Sequence, residues 1–133
     1  MTERLTSPLT AREEIQQLLK QYFDALYRGD LQSLSQVFHN KAYYCYLQNQ
    51  QLVHWDMSTY FDAFQKRTHP FEHTQLRQDE IFSIDAAGPS VALAKVKCAI
   101  HEKLCTDFLS LIKQGNRWKI IGKVFHYEVI TEH

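Results

Sequence analysis

Glycine and proline are scarce in this sequence, four and three among 133 residues. So few chain-turning residues exclude a collagen-like fibre or a flexible linker and suit a chain of long regular elements. An excess of one charge is missing as well, because fifteen lysines and arginines balance fifteen acids. Without a basic surplus there is no general attraction to phosphate backbones, so nucleic acid is not an expected partner. No stretch approaches the ~20 apolar residues of a membrane span. The opening MTERLTSPLT has no apolar core of the length a secretory signal needs. These absences lead us to expect a cytoplasmic protein without a membrane partner. Cysteine is represented by an odd set, Cys45, Cys98 and Cys105, mostly inside apolar stretches, which suits small reduced buried side chains better than a disulfide framework. No Gly-rich phosphate loop and no serine-elbow motif is found, so no cofactor is expected.

What is present is apolar content, 44% of the residues, sufficient for the core of one domain spanning 1–133, with residues 1–9 read as a flexible N-terminus. Thr10 with Glu13 forms a capping box, and Ile15, Leu18, Leu19, Tyr22, Phe23 and Leu26 recur at helical spacing. A helix over about 11–28 follows. Arg-Gly-Asp at 28–30 is then a helix junction, with Gly29 ending one helix and Asp30 capping a shorter one that carries Leu31, Leu34, Val37 and Phe38. AYYCYL and LVHW flank a turn at Asn49-Gln50 and read as two short strands. Asp56 opens a third helix, closed by Pro70. Strand-like runs follow at about 74–85, 90–101, 104–113 and 117–129. Helices first and a four-strand meander last make an α+β plan in which a strongly bent sheet wraps the helices.

The lysines separate the two faces of that sheet. With a two-residue turn at Gly115-Asn116, Lys113 pairs with Trp118, Leu111 with Ile120, Leu109 with Gly122, Asp107 with Val124 and Cys105 with His126. Ala92, Ala94, Val96 and Cys98 of the preceding strand join this face, while Lys95, Lys97, Lys119 and Lys123 fall on the other. The Asp107 face is therefore expected to be enclosed, with His126 a diagonal neighbour of Asp107. A one-residue slip would exchange the faces. On the lysine face Phe108, Ile112, Ile121, Phe125 and Tyr127 form an apolar band, the expected surface of a homodimer.

QYFDALYRGDLQSLSQVFH near the start and CTDFLSLIKQGNRWKIIGKVFH near the end resemble the nuclear transport factor 2-like superfamily, in its lumazine-binding, SnoaL-like branch of small bacterial proteins. The order of elements extends the resemblance over nearly the whole chain. It implies a cystatin-like cone, a bent mixed or antiparallel sheet around three helices of the N-terminal half, with a pocket in its mouth and a homodimer built sheet to sheet. The superfamily also contains ketosteroid isomerases, polyketide cyclases and scytalone dehydratase. In the isomerases a first-helix tyrosine seven residues before the Gly-Asp junction donates to a developing oxyanion, and Tyr22 matches that spacing. Their base, an aspartate sixteen residues after the junction aspartate, is replaced here by Tyr46, a poor base at neutral pH. Their protonated late-strand aspartate falls within one position of Asp107.

These readings nominate Asp107, His126 and Tyr22 as a catalytic set, in which the carboxylate orients the imidazole and Tyr22 donates a proton. The competing reading is a buried Asp and His that satisfy one another structurally. Tyr44, Tyr46 and Trp55 share a hairpin face, and with Trp118 on the Asp107 face they are the candidate ligand-binding aromatics; plain core is the alternative. HPFEH at 69–73 spells a zinc-peptidase pattern, but Pro70 is incompatible with a helix interior, so the segment is read as a loop and no metal is expected. The expected function is binding of a small apolar or aromatic molecule. The alternatives are a dehydratase- or isomerase-like enzyme using Asp107 and His126, and a dimeric interaction module.

Overall fold

The computed structural model describes residues 9–67, 77–100 and 102–129. Both the HPFEH segment and most of the N-terminal arm lie outside the described residues, as do the proline at 70 and the start of the run at 74.

Side-chain caps set the helix starts. In α1 (Ala11–Arg28) the Thr10 hydroxyl accepts from the Glu13 N–H while the Glu13 carboxylate accepts from the Thr10 N–H, and Gly29 ends the helix at φ 71°. Only a left-handed residue closes the helix this way, and glycine does so without steric cost. Asp30 caps α2 (Leu31–Val37), and Asp56 caps α3 (Met57–Lys66) by accepting from the Thr59 N–H at 2.9 Å. The apolar stripe of α1, including Ile15, Leu19, Tyr22 and Leu26, is buried against the sheet.

The strands are β1 (Phe38–Gln48), β2 (Gln51–Asp56), β3 (Asp79–Ala87), β4 (Val91–Ile100), β5 (Lys103–Gln114) and β6 (Arg117–Val129). They form one mixed, unclosed curved sheet in the order β2-β1-β6-β5-β4-β3. The last four strands are the expected antiparallel meander, and β1 adds to β6 in parallel. The α+β class and the wrapping of three helices by a bent sheet follow the sequence. Both hairpin turns are those expected, with positive φ at Asn49 and Gln50 and at Gly115 and Asn116, the twist-matched form of two-residue turn.

The β5–β6 register departs from the expectation at one point. Lys113 pairs with Trp118 and Leu111 with Ile120, but Ser110 then pairs with Gly122, leaving Ile121 as an extra residue. Beyond this bulge each β6 residue has exchanged faces. Leu109 faces Lys123, Asp107 faces Phe125, Thr106 faces His126 and Cys105 faces Tyr127. Lys123, Phe125 and Tyr127 therefore turn inward, and Val124 and His126 turn out. On the outer face Gly122 lies beneath Tyr43: a Cβ built there would come 2.6 Å from the Tyr43 ring.

Candidate functional site

At one end of the sheet, inward-facing side chains of β1, β4, β5 and β6 enclose a cavity of about 250 Å³. Its aromatic walls are Tyr44 and Tyr46 from β1 and Phe125 and Tyr127 from β6, completed by Ile100 and Cys105. The rings support one another: Tyr46 and Phe125 lie 4.7 Å apart by centroid, and Tyr44 and Phe125 lie 5.0 Å apart. Three cations line the same cavity, Arg67 just after α3, Lys103 at the start of β5 and Lys123 at the base. Among the described residues no carboxylate lines it.

Lys123 is 3% exposed. Its ammonium sits 5.0–5.6 Å from the ring centroids of Tyr22, Tyr44, Tyr60 and Phe125, a cage of π faces that attracts a cation. Asp107 lies behind it, fully buried, with Oδ2 4.0 Å from the Lys123 Nζ. That separation makes an ion pair but is too long for a hydrogen bond. The same Oδ2 accepts from the Tyr22 hydroxyl at 2.6 Å. Among the described residues Asp107 Oδ1, the Tyr60 hydroxyl and Arg67 Nε have no hydrogen-bond partner.

Electrostatics follow from burial. Desolvation pushes the Lys123 ammonium down, but the anionic forms of Tyr60, Asp107 and Tyr44 push it up, and the upward direction prevails. At neutral pH we assign that outcome to Asp107, since phenols are then uncharged. Burial, followed by the charge of Asp107, holds the Tyr22 phenol well above its usual range, and burial raises Tyr44 to about 12. Burial likewise raises Tyr46 and the thiols of Cys98 and Cys105. A protonated amine, neutral phenols and neutral thiols are donors and walls rather than bases or nucleophiles at pH 7.

The structure brings together Tyr22 and Asp107, as the sequence reading required, and places Tyr44 and Tyr46 in the cavity wall. Asp107 and His126 do not form the expected pair. The bulge at Ile121 points His126 outward, where its side chain is 76% exposed and 3.5 Å from Glu128. For the same reason Phe125 and Tyr127 leave the outer band assigned to the dimer and become cavity walls, while Phe108, Ile112 and Ile121 stay outside. Trp55 stacks on Tyr44 at 5.0 Å and supports the wall from behind. Trp118 is a buried core residue whose indole N–H donates to Glu14 Oε1 at 3.1 Å; it is not among the cavity residues. Lys123, Arg67 and Lys103 are cavity residues that the sequence reading did not assign. A usable signal was Gly122, since an isolated glycine within a strand often marks a bulge, and a bulge there sends the following lysine inward.

A search of curated proteins finds no match. Among solved structures, an NTF2-like protein of unknown function from Shewanella baltica is similar with TM-score 0.79 at 21% identity, over 91% of this chain and 98% of that one. One from Methylobacillus flagellatus gives 0.75 at 23%, over 91% and 96%. A ketosteroid isomerase-like protein from Erwinia carotovora gives 0.67 at 10%, over 86% and 93%. These likenesses establish the fold. Residues 10–126 match the family model described as "Putative lumazine-binding", and the chain belongs to that family, with the fold of the NTF2-like structures.

Proposed function

We propose that this protein binds a small, largely apolar or aromatic molecule in the aromatic cavity at the open end of the sheet. One observation carries the reading: four aromatic rings and a nearly buried ammonium converge on one cavity of about 250 Å³. Concave, mostly apolar sites with a few convergent polar groups are the usual form of a small-molecule site. The family description supports small-molecule binding as well. Binding is favoured over dehydratase- or isomerase-like turnover because the described cavity walls carry cations, raised phenols and a raised thiol, and no general base is among those described residues. Tyr22 and Asp107 belong to this proposal as the support of Lys123 rather than as acid and base. The outer face, where Phe82, Leu93, Phe108 and Val124 are each more than two-fifths exposed, favours a sheet-to-sheet homodimer as a second part of the reading. The free cysteines fit a reducing, cytoplasmic compartment.

Titration of the protein with single-ring aromatic fragments, followed by NMR, tests the site. The reading expects at least one fragment to shift the ring resonances of Tyr46, Phe125 and Tyr127. A library in which no compound moves these signals would refute it.

A further inference from the structure

Resting on the binding reading above, we propose that the cavity is selective for a small aromatic acid, whose carboxylate docks between Lys123 and Arg67 while its ring stacks among Tyr44, Tyr46, Phe125 and Tyr127. The argument starts from unspent donors. An ammonium has three N–H donors and no acceptor. Around Lys123 the aromatic rings offer π faces, and the Asp107 oxygen 4.0 Å away already accepts from Tyr22 at 2.6 Å. Arg67 Nε is buried without a partner among the described residues. Two donor-bearing cations thus face one cavity with hydrogen-bonding capacity to spare, and an uncompensated buried donor is costly unless something occupies it. Lys103, whose ammonium lies 4.4 Å from the Tyr127 ring centroid, adds a third positive charge among the lining residues.

The charge count fixes the sign of the ligand. Among the described residues three cations line the cavity and Asp107 behind it offsets one of them, so the described lining keeps a positive surplus that an anion would neutralise. The walls fix its character. Tyr44, Tyr46, Phe125, Tyr127, Ile100 and Cys105 surround those cations, and a fully hydrated inorganic ion would be stripped of water against apolar rings. Size completes the description: 250 Å³ holds on the order of eight water-sized groups, enough for one ring bearing one acid group.

Isothermal titration at pH 7.5 and low salt, with benzoate, its neutral isostere benzamide, and inorganic phosphate as probes, tests the proposal. Benzoate should bind at least tenfold more tightly than benzamide, and phosphate should bind more weakly than benzoate. Arg67→Gln and Lys103→Gln lie at the cavity wall rather than in the core, and each should weaken benzoate several-fold and benzamide by clearly less, so that the ratio between the two falls. Lys123→Met should abolish the preference, and the other two variants keep the test decisive if it does not fold. Equal binding of benzoate and benzamide would overturn the acid selectivity and leave the aromatic cavity standing. Phosphate as tight as benzoate would overturn the aromatic part of the proposal. Failure of all three probes, in a protein that does bind other neutral single-ring fragments, would overturn the proposal alone. Failure of every ring compound would overturn the binding reading with it.

Discussion

Replacing Lys123 with methionine is the perturbation most directly tied to this architecture. Methionine is unbranched and adaptable, so the substitution removes charge with little change of packing. At 4.0 Å the Lys123–Asp107 attraction is worth about 4 kcal/mol at an effective dielectric of about 20, before the cost of desolvating the ions. Removing one member of a buried pair strands the other, and such losses run to about 3–5 kcal/mol. We therefore expect Lys123→Met to lower the unfolding free energy by that amount, and Asp107→Asn to lower it by about 2–4 kcal/mol. The double variant should cost clearly less than the sum, with a coupling of about 2 kcal/mol or more, because neither ion is left stranded. Urea unfolding followed by the fluorescence of Trp55 and Trp118 gives all four values, provided that the denaturant slope stays constant. A coupling below about 0.5 kcal/mol, or a Lys123→Met protein as stable as the parent, would refute the claim that the buried ammonium is held by Asp107.

Three further outcomes are expected. Stability should begin to fall above about pH 8.5, where unfolded thiols ionise but the buried Cys98 and Cys105 keep their protons, and fall more steeply above about pH 10. The Tyr44 phenol, at about 12 in the fold against 10 in the free chain, keeps its proton longer when folded, so its contribution is complete below the unfolded value and on the order of 3 kcal/mol is lost between the two. Lys123, also raised, acts in the same direction: its stabilising charge is full below the unfolded value of about 10.4 and is lost as pH climbs through the folded one. Melting curves from pH 8 to 12 check this, Tyr44→Phe should remove the tyrosine share, and a midpoint unchanged to pH 11.5 would contradict it. Gly122→Ala should cost about 1–2 kcal/mol, since its Cβ would lie 2.6 Å from the Tyr43 ring, and Tyr43→Ser should restore most of the loss in thermal melts. An additive pair would show that the ring is not the obstacle. Phe108→Glu places a charge on the outer face and should halve the mass seen by analytical ultracentrifugation; a parent protein that is already monomeric would end the dimer proposal.

The helices, their caps and the two hairpin turns were legible in the sequence because local chemistry decides them. Thr10, Asp30 and Asp56 satisfy nearby N–H groups, Gly29 adopts the left-handed conformation, and the apolar spacing of α1 states which side faces inward. The enclosed face of β4 and β5, with Asp107 inside, was equally readable from alternation. So was the meeting of Tyr22 with Asp107, through a resemblance that places both at the same site. The identity of the inward cation was not. Strict alternation carried His126 inside and Lys123 outside, and one extra residue at Ile121 reversed them. Alternation has a period of two, so it cannot absorb a single insertion, and the insertion is decided by tertiary requirements. β6 must match β5 on one side and run parallel to β1 on the other, with Tyr43 crossing over Gly122. The sequence by itself thus determined the elements, the class and the buried carboxyl; the curved sheet, by forcing a bulge where two neighbours impose different registers, decided that a lysine in an aromatic cage forms the floor of the site.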